Sequence, residues 1–139
     1  MEAIVCAQWV AESVQGASRG PLKTRAANAP PIASDPSAVR PILSQGLGVL
    51  RNRHGIERAI RGLYPLARGD SAAADPALVG LMIAVAAWRR EESRGGHFRS
   101  DFPDALPSAV PSSLSLTDAL CAARDIVETG SLSVGSAQP

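Results

Sequence analysis

The stretch DPALVGLMIAVAAW, Asp75–Trp88, contains no charged residue between Ala77 and Trp88. Asp75 followed by Pro76 predicts a helix start, because aspartate caps the first free N–H groups and proline suits the first helical position. The large apolar side chains of this stretch would cover most of the circumference of such a helix: Leu78, Leu81, Met82, Ile83, Val85 and Trp88. A helix that is apolar nearly all round is typical of the middle of a bundle. The sequence therefore predicts a central helix here.

Two further helices are predicted on the N-terminal side, at about 37–52 and 53–66, and the central helix is expected to span about 75–95. Asn52 is the predicted N-cap of the second helix. The buried face of that helix follows a helical period and comprises Ile56, Ala59, Ile60 and Leu63. Together the three helices predict an all-α fold built on an antiparallel three-helix bundle.

A further helix is predicted at each end of the chain, at about 1–15 and about 116–129. The first is apolar on most of its surface and has no N-cap residue before it, so its start is expected to lie upstream. Ser115 or Thr117 is the expected cap of the last helix, and Gly130 can stop it. The chain is therefore expected to carry one additional helix on each side of the bundle.

Composition divides the chain into four parts. Gly, Pro, Ser and Ala dominate the segment after the first helix and leave no apolar period, which is typical of a linker. The predicted parts are a separate helix at 1–15, a linker at 16–36, a helical domain at 37–130 and a flexible tail at 131–139.

The 139 residues carry a net charge of +1 and are 4% aromatic, which indicates no bias toward nucleic acid, membranes or acidic partners. A local basic cluster is interpreted as a solvated helical face, because no aromatic side chains are interleaved for base stacking. This cluster comprises Arg51, Arg53, His54, Arg58 and Arg61. Cys6 and Cys121 stand alone, so reduced thiols in a cytoplasmic protein are expected. No apolar run is long enough for a membrane span, and neither a span nor a nucleic-acid partner is predicted.

The central helix leads into the densest charged segment of the chain, RREESRGGHFRSDFP, Arg89–Pro103. The Gly95-Gly96 pair is expected to end the helix in the left-handed conformation. Ser93 stands in no nucleophile elbow and His97 has no metal-ligand companions at useful spacing, so a structural role is favoured over a catalytic one. Arginine pairs bidentately with carboxylates, and glycine permits close backbone approach. The segment therefore predicts a hydrogen-bonded corner against another surface.

The same segment resembles the signature Arg-x-Glu-Ser-Arg-Gly-x-His-x-Arg-x-Asp-Tyr/Phe-Pro of the succinate dehydrogenase and fumarate reductase flavoprotein superfamily, and within it is most similar to L-aspartate oxidase. The signature positions are filled by Arg90, Glu92, Ser93, Arg94, Gly95, His97, Arg99, Asp101, Phe102 and Pro103. Gly96 stands where alanine or leucine is common. Val39–Ile60 is similar to a helix pair of this family, and Met1–Val14 is similar to the helix after its flavin-contacting segment.

The resemblance implies a parent protein that binds FAD and oxidises L-aspartate to iminoaspartate. That reaction is the first step of de novo NAD biosynthesis, with quinolinate synthase as a partner at the level of the pathway. This chain has no Gly-x-Gly-x-x-Gly dinucleotide fingerprint, so no cofactor and no catalytic, cofactor-binding or metal residue is expected in it. Residues 1–15 are expected to come from the end of the FAD-binding domain. The ten signature residues are expected to dock the helical domain onto that domain.

Two other interpretations stay open at this point. The first is the corresponding region of a succinate dehydrogenase or fumarate reductase flavoprotein subunit, although such chains usually continue with a longer tail after the signature. The second is an independent helical module that binds another protein, which an uncapped apolar N-terminal helix would also suit. That helix further predicts self-association, because exposed apolar faces favour burial.

Overall fold

The computed structural model describes residues 2–16, 20 and 33–134, with the backbone alone for residues 2–4 and 130–134. The chain divides into two compact units, Met1–Pro31 and Ile32–Pro139. Its elements are α1 (Glu2–Val14), α2 (Val39–Gly46), β1 (Leu50–Arg51), α3 (Arg53–Ala67), α4 (Ala74–Arg89), β2 (Phe98–Arg99) and α5 (Leu116–Val134). The predicted helical fold is confirmed, and the two short strands are a small addition to it.

The core of the second unit lies between α3, α4 and α5, with α2 against α3 and α4. The predicted buried face of α3 is confirmed, since its four apolar side chains lie almost fully out of solvent. On α4, Leu81 and Val85 are buried, but Val79 and Ile83 are exposed. The expectation that α4 would be covered nearly all round is therefore wrong within this unit, where one side of the helix stays open.

Two helices end earlier than predicted. The first bundle helix was expected to reach residue 52, but α2 ends at Gly46 and the chain then turns into β1. The central helix was expected to reach residue 95, but α4 ends at Arg89. The predicted helix stop at Gly95 is also wrong, because Gly95, with φ of +61°, lies in the turn that joins Arg94 to His97.

The helix caps agree in part with the sequence. Asn52 caps α3, and its side-chain oxygen accepts the N–H of Gly55 at 2.8 Å. Ser115 caps α5 by accepting the N–H of Asp118 at 3.2 Å. Asp75 is not the cap of α4, because the helix begins one residue earlier and places Asp75 in its first turn. Nor does α5 stop at Gly130, since its backbone continues to Val134.

The strands β1 and β2 pair in parallel, with Leu50 opposite Phe98 and Arg51 opposite Arg99. Side chains alternate between the two faces of a strand, so each opposed pair shares one face. Leu50 and Phe98 are exposed, whereas Arg99 is buried and Arg51 half-buried. This sheet thus turns its arginines toward the protein and its apolar side chains toward solvent.

The first unit contains α1, which confirms the predicted N-terminal helix. Val5, Trp9, Val10 and Val14 are exposed in the single chain. The predicted linker at 16–36 falls mostly outside the described residues, as do residues 135–139 of the predicted tail. Within the described ranges, none of the helices combines the length and apolar character that crossing a membrane requires.

Candidate functional site

The signature segment lies where α2 ends, α3 begins and α4 ends. Six side chains tie these ends together and are referred to as the helix-end cluster: Arg51, Glu92, Ser93, His97, Arg99 and Asp101. Three of them, Glu92, His97 and Arg99, are the buried charged or polar side chains of the described chain. The cluster is therefore a network of polar side chains beside an apolar core.

Arg99 occupies the centre of the cluster and is only 1% exposed. Its Nη1 donates hydrogen bonds to the carbonyl oxygens of Ala87 at 3.0 Å and Trp88 at 3.2 Å. These carbonyls belong to the last turn of α4, where no N–H of the helix is available to satisfy them. The guanidinium also lies at the negative end of the helix dipole. Arg99 therefore caps α4, which explains why that helix ends at Arg89.

Asp101 holds the other side of the same guanidinium. Its Oδ1 accepts Nε of Arg99 at 2.8 Å and its Oδ2 accepts Nη2 at 2.7 Å, a bidentate pair. Oδ2 also accepts the backbone N–H of Arg53, the first residue of α3, at 2.8 Å. The hydrogen bonds from Arg99 hold the pKa of Asp101 well below its usual range. Asp101 thus joins the start of α3 to the end of α4 through Arg99.

His97 links the cluster to α2. Nη1 of Arg51 lies 2.9 Å from Nδ1 of His97, and Nε2 of His97 lies 3.2 Å from the carbonyl oxygen of Arg90. A guanidinium can only donate, so Nδ1 accepts and the ring proton sits on Nε2, where it is donated to Arg90. Arg51 also donates to the carbonyl oxygen of Gly48 at 3.0 Å, just after α2. This arrangement requires a neutral His97 ring.

Burial and the neighbouring Arg51 guanidinium both lower the pKa of His97, and they outweigh the hydrogen bond to the Arg90 carbonyl, which raises it. A lowered pKa favours the neutral ring, which agrees with the tautomer that the contacts of His97 require. A proton on Nδ1 would face the N–H of Arg51 and would remove the acceptor. His97 is therefore a fixed acceptor and donor in this cluster.

Glu92 is 5% exposed and collects three donors. Nε of Arg90 and Nε of Arg94 each lie 3.0 Å from its carboxylate oxygens, and the N–H of Leu106 lies at 3.1 Å. Burial alone would raise the pKa of Glu92, but these hydrogen bonds outweigh burial and lower it. Arg94 also donates to the carbonyl oxygen of Leu106 at 2.6 Å. Glu92 therefore binds the segment that follows the signature, through the N–H of Leu106.

Ser93 connects two parts of the signature backbone. Its Oγ accepts the N–H of Arg99 at 2.8 Å and lies 2.8 Å from the carbonyl oxygen of Phe102, to which it donates. The Phe102 ring lies 4.9 Å from the Arg99 guanidinium, which adds a cation–π contact. No base activates this hydroxyl within the cluster, since its hydrogen bonds go to backbone groups. Ser93 thus joins the backbone at Arg99 to the backbone at Phe102.

Sequence reasoning missed the role of Arg51 and of the helix-end carbonyls. The basic cluster was interpreted as a solvated face, but Arg51 is half-buried against His97 and the end of α2. Arg53 and Arg61 contact Glu57 at 3.0 Å and 3.8 Å. The available signal was an arginine in the last turn of the helix predicted at 37–52, because cations are favoured at helix C-termini. The solvated interpretation fits the remaining two residues of the set, which are exposed: His54 and Arg58.

The ten signature residues separate by exposure. Glu92, His97 and Arg99 are buried, and Ser93, Arg94 and Phe102 are partly buried; the exposed members are Arg90, Gly95, Asp101 and Pro103. The inward-facing groups are saturated, since every buried side-chain nitrogen and oxygen in the described ranges has a hydrogen-bond partner. Within the described ranges, the buried polar groups of the cluster therefore bind one another and the backbone. Nor do the described residues bring three His, Cys, Asp or Glu together as metal ligands.

The neutral state of His97 predicts a pH dependence of stability. The pKa is lowered in the folded chain from its ordinary value of 6.5, so the unfolded chain takes up a proton first as the pH falls. The free energy of unfolding should therefore decrease as the pH drops below about 6.5, with a slope of at most about 1.4 kcal/mol per pH unit. Urea unfolding between pH 8 and pH 5 measures this slope.

His97→Gln is expected to flatten this dependence, because glutamine does not titrate in this range. His54→Gln is the matched control, since His54 is exposed, and it should keep the slope of the parent chain. The carboxylates of the cluster add to the slope only as the pH approaches 5, so the variants are compared between pH 8 and about pH 6. An unchanged slope in His97→Gln would contradict the assignment of a neutral His97.

Comparisons with known proteins identify the class to which this chain belongs. Residues 72–125 match the family described as fumarate reductase flavoprotein C-term, which defines the class as a flavoprotein C-terminal helical domain. L-aspartate oxidase of Mesorhizobium japonicum is 50% identical over 118 residues, covering 85% of this chain and 23% of the relative. L-aspartate oxidase of Agrobacterium fabrum is 38% identical over 143 residues, covering 99% of this chain and 27% of the relative.

The chain belongs to the L-aspartate oxidase family and corresponds to its C-terminal region. It spans about a quarter of the length of the curated relatives that it matches. No solved structure matches it. The signature segment indicated a resemblance to this superfamily, and the family match confirms it.

Proposed function

We propose that this chain is the C-terminal helical region of an FAD-dependent L-aspartate oxidase and that it braces the flavoprotein without taking part in the chemistry. The whole protein would oxidise L-aspartate to iminoaspartate in the cytoplasm, as the first step of de novo NAD biosynthesis upstream of quinolinate synthase. FAD would supply the hydride acceptor and would be held by the part of the protein that precedes this region.

The observation that carries this proposal is the saturation of the helix-end cluster. Arg99 and Asp101 bind each other and four backbone groups at the ends of α3 and α4. A general acid or base must be able to reach a substrate proton, and these groups are already engaged. The cluster is therefore suited to hold three helix ends at fixed positions, which is what a bracing domain requires.

The domain organisation follows from the same proposal. Residues 1–15 would be the last helix of the FAD-binding domain, 16–36 a linker, 37–130 the helical domain and 131–139 a tail. Docking onto the FAD-binding domain would use the ten signature residues, of which Arg90, Gly95 and Pro103 are among the exposed members. The similarity of the relatives, which are all L-aspartate oxidases, favours this parent over a succinate dehydrogenase subunit.

A graft tests the proposal with a full-length protein. This chain replaces the matching region of the Mesorhizobium japonicum oxidase, and bound flavin and L-aspartate-dependent flavin reduction are measured. The graft is expected to retain flavin and to turn over, whereas the same protein with an unrelated three-helix bundle in that place is expected to lose both. This chain purified alone should be colourless. A flavin-bound isolated chain, or a graft without flavin, would contradict the proposal.

Self-association is a second candidate function, and it is favoured by the exposed side of α1. Trp9 is 64% exposed and Val10 is 62% exposed, which is costly for a lone apolar helix in water. A second copy or another protein could cover this side. Sedimentation of the isolated chain measures the state directly, and a monomer at all concentrations would argue against this candidate.

A further inference from the structure

We propose that the outer face of the β1–β2 sheet is the surface on which this region docks against the preceding flavoprotein part of the same polypeptide. This inference rests on the proposed function and deepens it. The outer sheet face comprises Leu50 and Phe98, and it is flanked by Val49, just before β1, and by the turn at Gly95 and Gly96. Of these residues, only Gly95 belongs to the ten signature positions.

The first argument is the reversed polarity of the sheet. The inner pair consists of Arg51 and Arg99, whose charges are satisfied by helix-end carbonyls, His97 and Asp101. The outer pair consists of Leu50, which is 73% exposed, and Phe98, which is 39% exposed. The usual two-layer arrangement buries the apolar face of a sheet and leaves the polar face in water. The reversed arrangement here leaves an apolar face that needs a covering surface.

The second argument is the shape of the rim. Val49, the residue before Leu50, is 84% exposed and adds a further apolar side chain next to the strand. At Gly95 and Gly96 a side chain would meet nothing within 4 Å, so the backbone of the turn is open to close approach by another surface. Arg94 beside them is partly exposed and holds Glu92, which gives the apolar surface a polar edge. An apolar centre with a polar rim is the usual anatomy of an interface.

The third argument concerns which surface covers the outer sheet face, and it rests on the small area of that face. Three apolar side chains are far too few for a stable dimer, which buries about 800 Å² on each partner. A small surface suffices when both partners belong to one polypeptide, because the effective concentration is then high. The relatives have about three quarters of their length outside the region matched by this chain. That preceding flavoprotein part is therefore the occupant that fits a surface of this size.

Amide hydrogen exchange on the graft tests the surface. Exchange at residues 49–51 and 95–98 is measured in the isolated chain and in the Mesorhizobium japonicum oxidase that carries it. Grafting is expected to slow this exchange at least tenfold. The double variant Leu50→Lys, Phe98→Lys is expected to lose this additional protection, and Val49→Lys to lose part of it. Circular dichroism of each isolated variant establishes that the helices are retained.

The matched control is Val79→Lys, Ile83→Lys, an equally exposed apolar pair on α4. This control should keep the additional protection. If it loses that protection while Leu50→Lys, Phe98→Lys keeps it, the docking surface lies on α4 and the inference is overturned. An active graft whose exchange at the sheet equals that of the isolated chain would overturn the inference and leave the proposed function standing. A graft that binds no flavin would contradict both this inference and the proposed function. Protection that depends on the concentration of the isolated chain would identify a second copy as the occupant and would also overturn it.

Discussion

Replacing Arg99 with methionine is expected to lower the free energy of unfolding by about 3 kcal/mol, a large part of the stability of a domain of this size. Methionine fills a similar length but cannot donate hydrogen bonds. The carbonyls of Ala87 and Trp88 would lose their donor, and the carboxylate of Asp101 would lose its bidentate partner. Asp101 is exposed and water can replace its lost donors, so most of the cost comes from the helix-end carbonyls, each of which costs about 1–3 kcal/mol when left without a donor. Urea unfolding followed by circular dichroism measures the loss.

Two companion variants separate charge from geometry. Arg99→Lys keeps the charge, but an ammonium is a point donor and cannot bind both carboxylate oxygens and two carbonyls at once. It is therefore expected to lose about 2 kcal/mol, between the parent chain and Arg99→Met. Arg58→Met is the control, because Arg58 is exposed, and it should change stability by less than about 0.5 kcal/mol. A loss below about 1 kcal/mol in Arg99→Met would show that the cluster does not hold the helix ends.

The helices were predictable where their determinants are local. Ile56, Ile60 and Leu63 recur at a helical period, and burial of one face of α3 follows from that spacing alone. The cap at Asn52 is equally local, since its partner N–H at Gly55 lies three residues away. A single sequence therefore carries enough information to place α3 and its core face.

The end of α4 was not predictable in the same way. The residues after Arg89 keep good helix propensity, and local rules extend the helix to the glycine pair. The helix stops earlier because Arg99, which arrives after the chain has reversed, binds the carbonyls of Ala87 and Trp88. A capping side chain that returns from a later strand leaves no mark in the periodicity of the helix itself.

The resemblance to the flavoprotein family located the cluster but not its contacts. It drew attention to His97, whose partner Arg51 lies 46 residues earlier in the chain. The charge density of the signature predicted a hydrogen-bonded corner against another surface, but it could not show that three of its side chains are buried and bind within the chain. The two strands that bring Arg51 and Arg99 together are two residues each, which is too short for an alternating pattern to be recognised.

The close approach of α2 to α3 gives the second large prediction, in Gly46→Ala. A Cβ atom at Gly46 would lie 2.6 Å from Cβ of Ala59 and 2.6 Å from the carbonyl oxygen of Gly55. One of these neighbours is backbone, so the overlap cannot be relieved by rotating a side chain. Alanine is the better helix former by about 1 kcal/mol, but overpacking of this kind costs about 1–3 kcal/mol or more. The free energy of unfolding is expected to fall by about 2 kcal/mol.

A double variant apportions this loss between the two contacts. Ala59→Gly removes the Cβ that Gly46→Ala would meet, but it leaves the Gly55 carbonyl in place. Gly46→Ala combined with Ala59→Gly should therefore recover only part of the stability lost by Gly46→Ala, relative to Ala59→Gly alone. Gly96→Ala is the control, since nothing lies within 4 Å of its Cβ position, and it should stay within about 0.5 kcal/mol of the parent chain. Complete recovery in the double variant would mean that the backbone of α3 yields freely at Gly55, and it would contradict the assignment of part of the loss to the Gly55 carbonyl.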